Sequence, residues 1–153
     1  MDNQKNLIES LNTSQILVGL DLGTKTLGVD VSDRYKIIAS PLSTIQRNGT
    51  KKDLLKLQEI LNDYEIGGFI VGLPLSLDNS ENQQTQLVRN FNKDLINFFS
   101  LPSAFWDERF SSDVIFKEMR RSNMSKNKIK NKLDQQSASY ILQGYLERYR
   151  KNK

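Results

Sequence analysis

Ile16-Leu17-Val18-Gly19-Leu20-Asp21-Leu22-Gly23-Thr24-Lys25 is the stretch that decides the fold. An aliphatic run leads into one carboxylate and then a glycine, the pattern of a buried strand that ends in a turn. Outward from it, Gly28 to Ser32 reads as a second strand, Ser32-Asp33-Arg34 as a hairpin turn, and Lys36 to Ser43 as a third strand. The chain therefore opens as an antiparallel meander. Pro41 has no N–H to give a ladder, which suits an edge strand or a strand end.

Asp53 to Tyr64 reads as an amphipathic helix with Leu54, Leu57, Ile60, Leu61 and Tyr64 on one face, stopped by Gly67-Gly68. Phe69-Ile70-Val71-Gly72-Leu73 is apolar throughout, as parallel strands covered on both faces are. Ser80, with Gln83 three residues on, reads as the capping box of a helix whose buried stripe is Leu87, Val88, Phe91, Leu95 and Phe98. Pro102 to Trp106 is a short strand that ends at Asp107-Glu108. A helix capped by Ser111 or Ser112 runs to about Arg121, and Asn123 to Asn131 is a basic loop. A last helix, from about Leu133 to Arg148, carries Ala138, Ile141, Leu142, Tyr145, Leu146 and Tyr149 inward. The order β-β-β-α-β-α-β-α-α predicts an α/β fold: a mixed five-stranded sheet, three antiparallel strands then two parallel, with helices on both faces. Asp21 and Glu108 then stand at the C-terminal ends of strands, where open α/β sheets place their sites.

Composition narrows the chemistry. The 153 residues fit one domain, taken as 16–150 after a loosely ordered or briefly helical extension, 1–15. There is no Cys and no His, which excludes thiolate chemistry, His-based metal sites and Ser-His or Cys-His catalysis. Acids, bases and metal ligands must come from carboxylates, Lys, Tyr or backbone, a set that favours hard cations such as Mg²⁺ or Mn²⁺. The formal charge is +4, and Lys117, Arg120, Arg121, Lys126, Lys128, Lys130 and Lys132 crowd a stretch whose one acid is Glu118. Such a stretch suits a polyanion, although a solvated basic face is the plain alternative. The opening lacks a cationic segment followed by an apolar core, and no apolar run is long enough to cross a membrane, so the reading is cytoplasmic.

The motifs resemble one family. Gly19-Leu20-Asp21-Leu22-Gly23-Thr24-Lys25 with Gly28-Val29 and Ser32-Asp33 is similar to the opening of the YqgF/RuvX family, within the ribonuclease H-like superfamily. Val71-Gly72-Leu73-Pro74 with Asp78-Asn79-Ser80-Glu81 resembles its central motif, and Trp106-Asp107-Glu108-Arg109-Phe110-Ser111 its Asp-Glu-Arg motif. Asp134, Ala138, Ile141-Leu142-Gln143 and Tyr145-Leu146 resemble its C-terminal signature. Asp30 stands where the family has a small residue, Asn79 and Asn82 where it has glycines, and Ser137 where it has Ala. The resemblance implies a ribonuclease H-like fold and a nuclease acting on the 5′ end of pre-16S rRNA in ribosome biogenesis. Resolution of Holliday junction DNA is the alternative, and a non-catalytic RNA-binding module is a third reading.

On that resemblance Asp21, Glu108 and Asp134 are the catalytic and metal-binding carboxylates, holding Mg²⁺ or Mn²⁺. Against them stand a turn cap for Asp21, an ion pair with Arg109 for Glu108, and the positive end of a helix dipole for Asp134. Lys25, Arg109, Arg120, Arg121, Lys126, Lys128 and Lys130 are the candidate substrate-binding residues. Trp106 reads as core rather than as a base-stacking platform. The partners expected are nucleic acid and ribosomal particles, with no membrane, and the reading leaves monomer and homodimer open. Asp21-Leu22-Gly23-Thr24 also resembles the first phosphate loop of actin-like ATPases and sugar kinases, but those need two such lobes and this length allows one.

Overall fold

The computed structural model describes residues 6–75, 80–107 and 141–149. Its strands are β1 (Ile16–Leu22), β2 (Thr26–Ser32), β3 (Ala39–Gln46), β4 (Ile66–Leu73) and β5 (Ser103–Asp107), and its helices α1 (Thr50–Ile60), α2 (Gln83–Phe99) and α3 (141–149). They form one sheet in the order β3-β2-β1-β4-β5. β2 is antiparallel to β1 and β3, while β4 is parallel to β1 and β5. This is the expected mixed sheet, with the polar-rich meander at one side and the apolar parallel strands at the centre and far side.

Alternation along each strand separates two cores. Val18, Leu20 and Leu22 of β1 join Leu27, Val29, Phe69, Val71 and Leu73 beneath Leu54 and Leu57 of α1 and Val88, Phe91 and Leu95 of α2. Leu17, Ile70, Ala104 and Trp106 point the other way and meet Ile141, Leu142, Tyr145, Leu146 and Tyr149 of α3. Each such buried side chain contributes about 1.5–3 kcal/mol from leaving water. The stripe read for the last helix and the core role of Trp106 both hold over the described residues. Gly144 lets α3 lie close on β5, since a Cβ there would stand 2.9 Å from Trp106.

Several expectations change. Of the two alternatives for the extension, residues 6–15 follow the briefly helical one, with a 3₁₀ turn at Ile8–Ser10, and they also pack: Leu7 and Ile8 are buried in the second core and the Leu7 N–H donates to Tyr145 Oη at 2.8 Å. Gly67 and Gly68 do not stop a helix. They open β4, and Gly68 leaves the space that Leu7 occupies, where a Cβ would stand 3.0 Å from Leu7 Cδ1. α1 starts three residues earlier than expected and stops at Ile60, so Tyr64 lies beyond it and is exposed. α2 is capped by Asn82 and Thr85 rather than by Ser80 and Gln83: the Asn82 side chain accepts the Thr85 N–H at 3.0 Å and the Asn82 N–H donates to Thr85 Oγ1 at 3.1 Å. The asparagine that departs from the family's glycine is therefore a helix cap. Leu87, expected in the buried stripe, is exposed, and Thr85 and Asn92 are buried instead.

β3 begins at Ala39 rather than Lys36, because the preceding turn is longer than expected. One Asp33 carboxylate oxygen accepts the N–H groups of both Ile37 and Ile38, at 2.7 and 3.0 Å, and Lys36 takes a left-handed φ of 59°. Pro41 lies on the edge strand beside a register shift between Val29 and Asp30, as a residue without an N–H can.

Candidate active site

Asp21 is the next-to-last residue of β1 and is half-buried. It shares a sheet face with Leu17, the face that α3 covers farther back. Its partner on β2 is Gly28. One register step past the Leu20–Val71 pair, Asp21 stands level with Gly72 of β4, which itself pairs with Trp106 of β5. Neither neighbouring strand therefore sets a side chain beside the carboxylate on its own row. A carboxylate oxygen in that row is a hard donor of the kind a divalent cation takes.

Asp30 was noted in the sequence only as a departure, and it lies on the same face. It pairs with Gly19, two residues before Asp21, and is 1% exposed. A diagonal neighbour of this kind stands about 7–8 Å away on an antiparallel pair. Asp107 ends β5 buried, on the alternate face from Trp106.

The turn after Asp21 is tight. The Gly23 N–H donates to the Thr26 carbonyl at 2.8 Å, and Thr24 and Lys25 are exposed at its tip. Two distant side chains hold it. Arg47 Nη1 donates to the Gly23 carbonyl at 3.1 Å, and Gln84 Nε2, from the first turn of α2, reaches the Leu22 carbonyl at 3.4 Å. Because β3 runs parallel to β1 and leads into α1, both α1 and α2 begin at the end of the sheet where β1 finishes. Their N-termini, the positive dipole ends, lie at the same end of the sheet as Asp21 though on its other face, a favourable setting for an anionic substrate. A groove of about 270 Å³ lies between the turn and the two helices, bounded by Thr24, Arg47, Thr50, Gln84, Asn90 and Phe91 among others.

Farther along the same end, the Arg89 guanidinium grips Glu81 through two bonds, 2.8 and 2.5 Å, and lies over the Phe105 ring. The hydrogen bond from Arg89 holds the Glu81 carboxyl below the usual range. Arg89 thus combines an ion pair with packing of its guanidinium on an aromatic ring. Thr85 Oγ1 donates to the Pro74 carbonyl, tying the start of α2 to the end of β4.

Of the carboxylates read from the sequence as catalytic, only Asp21 falls among the described residues, next to last in β1. Glu108 and Asp134 lie outside the described residues, as do Arg109, Arg120, Arg121, Lys126, Lys128 and Lys130. Among the described residues no three acidic side chains gather into a metal-binding group. Lys25 stands four residues after Asp21, exposed at the turn. Arg47 and Asp53 carried no motif signal, since their partners are set by tertiary packing.

Known proteins match this chain over most of its length. The family described as "RuvX: Holliday junction resolvase" matches residues 15–148. A Methylocella silvestris protein is 40% identical over 137 residues, 90% of this chain and 85% of its own. One from Rhodobacter capsulatus is 42% identical over 132 residues, 86% and 83% of the two chains. Both bear the name "Putative pre-16S rRNA nuclease". Among solved structures, Thermus thermophilus RuvC aligns with a TM-score of 0.50 at 11% identity, over 88% of this chain and 96% of its own, a likeness of fold.

Proposed function

Because the chain belongs to the RuvX family, we propose that it is a metal-dependent nuclease that hydrolyses phosphodiester bonds at the 5′ end of the 16S rRNA precursor. The single observation that carries this reading is the Asp21 carboxylate, held at the end of a buried strand between two glycine-bearing strands. A carboxylate at the C-terminal end of a sheet strand is a donor suited to a hard divalent cation, which supports this reading.

Asp21, with Glu108 and Asp134, would hold Mg²⁺ or Mn²⁺. Such an ion, when bound, activates a water and neutralises charge that develops on the phosphate. The protein's own share is positioning. β1 fixes the Asp21 backbone through its ladders to β2 and β4, and the tight turn fixes where Lys25 emerges. Lys25 and Arg109 would hold phosphates beside the scissile bond, and the basic residues Arg120, Arg121, Lys126, Lys128 and Lys130 would follow the backbone largely without regard to sequence. The proposed substrate places the protein in the cytoplasm, with ribosomal particles as the carriers of that RNA. Among the described residues no helix is long and apolar enough to cross a membrane.

The family description favours a second reading, resolution of four-way DNA junctions. That activity needs a two-fold dimer presenting two sites to symmetric strands. Both substrates are offered to the purified protein with Mn²⁺: a single-stranded RNA spanning the mature 5′ end, and a synthetic four-way junction. Cleavage of the RNA with the junction intact is expected. Paired symmetric nicks in the junction with intact RNA would replace the first reading by the second.

A further inference from the structure

We infer that Arg47, neutralised by the buried Asp53, is a positioning residue for the proposed nuclease site, holding the Gly23–Lys25 turn so that Asp21 keeps its geometry. Arg47 sits just past β3 and is reached by no family motif described above. Its backbone N–H donates to the Lys25 carbonyl at 2.9 Å, one bond beyond the β2–β3 ladder. Its Nη1 donates to the Gly23 carbonyl at 3.1 Å, and its Nε donates to Asp53 Oδ2 at 2.9 Å. The guanidinium carbon lies 5.8 Å from the Phe91 ring centre, so α2 packs against its plane. One planar fork thus joins the turn after Asp21, the first turn of α1 and the middle of α2.

Asp53 is built for this purpose. It is 1% exposed, its second oxygen accepts the Asn48 N–H at 2.8 Å, and its own N–H donates to the Gly49 carbonyl at 2.9 Å. A carboxylate this buried is stable only with a fixed cationic partner, which pins Arg47 in turn. Arg47 lies on the α1/α2 side of the sheet and Asp21 on the other, so the coupling runs through the backbone of Leu22 and Gly23. Groups that orient a metal ligand from outside the ligand set matter to activity nearly as much as the ligands. A lysine cannot replace the fork: one ammonium reaches the carboxylate or the carbonyl, with no fixed geometry between them.

The inference rests on the nuclease reading, and its test keeps the two apart. Arg47→Lys and the double variant Arg47→Met/Asp53→Leu, which leaves no orphaned buried charge, are compared with the wild type. Four quantities are read: melting temperature, amide exchange at Gly23, KM against kcat on RNA, and Mn²⁺ affinity by titration. Both variants are expected to melt somewhat below the wild type, the double variant because the Asn48 N–H loses its acceptor, to remain folded at the assay temperature, and to exchange the Gly23 amide faster. They should keep KM and lose roughly 10–100-fold in kcat and in Mn²⁺ affinity. Recovery of full kcat in the double variant would make the pair a structural staple and overturn the inference. A raised KM at unchanged kcat, with a weaker salt dependence, would make Arg47 an RNA contact and overturn it likewise. Should the wild type neither cleave nor bind Mn²⁺, the nuclease reading falls, and with it any catalytic meaning of the turn. Unchanged exchange at Gly23 would overturn the clamp itself.

Discussion

The two turns of the meander are held in opposite ways. The β2–β3 turn is tied largely by its own residues: the Asp33 carboxylate takes the N–H groups of Ile37 and Ile38, and Lys36 makes the left-handed step. Its outside supports come from Lys36 Nζ on the Asn12 carbonyl and from Gln143, whose amide bonds the Ala39 N–H at 2.8 Å and the Ile37 carbonyl at 3.0 Å. The β1–β2 turn has one bond of its own, Gly23 to Thr26, and is otherwise held by Arg47 and Gln84 from 24 and 62 residues away. The β2–β3 turn adds outside support to a set of bonds of its own. The β1–β2 turn, beside Asp21, has little of its own and takes its geometry from side chains that the packing of α1 and α2 brings to it.

The largest expected effect comes from Asp21→Asn. It keeps the shape and removes the charge, so cleavage of RNA should fall by on the order of a thousandfold or more while melting changes little. The matching change at the other turn, Asp33→Ala, should do the reverse. It takes the acceptor from two backbone N–H groups that water can reach, costing about 0.5–1.5 kcal/mol, with kcat unchanged at temperatures where the protein is folded. Equal loss of activity in both variants would break the contrast between the turns.

Asp33 also gives the contrast a pH signature. Burial pushes its carboxyl up, but the amide N–H groups of Ile38 and Ile37 outweigh that, and the net result lies below the ordinary value. A depressed folded-state value means that this stability is fully present above the unfolded value, about 3.9, and is lost as pH falls through the folded one. Melting followed downward from pH 5 should therefore drop more steeply in the wild type than in Asp33→Asn. Parallel curves would remove Asp33 as the acid-sensitive tie. The smallest effect is expected at Lys25→Ala, a tip residue with an exposed side chain. A phosphate contact predicts a few-fold weaker RNA binding and a salt slope reduced by about one, with kcat nearly unchanged. No change in either would return Lys25 to a plain surface charge.

The same contrast explains what the sequence made legible. The apolar runs in β1 and β4 and the stripe on the described part of α3 come from burial alone, so the sequence shows them, although Ile66 to Gly68 at the start of β4 carry no such mark. Asp21 stands out in the sequence as a carboxylate closing an aliphatic run, and the structure puts it near the end of β1. The start of β3 was misplaced because Ile37 and Ile38 look like strand residues, whereas Asp33 recruits their N–H groups into the turn. Leu7 and Ile8 were passed over because their burial depends on Gly68 and Tyr145, far along the chain. Arg47 belongs to no pattern in the sequence and Asp53 reads there only as the start of a helix; the approach of α1 to the β1–β2 turn is what pairs them. Self-contained structure is written locally, and structure held from outside is not.

The most direct test of the account removes and restores the metal. The purified protein is stripped with chelator, dialysed, and given the RNA spanning the mature 5′ end, with Mn²⁺ or Mg²⁺ added back stepwise to wild type and Asp21→Asn. The account predicts no cleavage by the stripped wild type, recovery that follows metal occupancy, and no recovery in the variant. Full cleavage by the stripped protein, or equal recovery in Asp21→Asn, would contradict it.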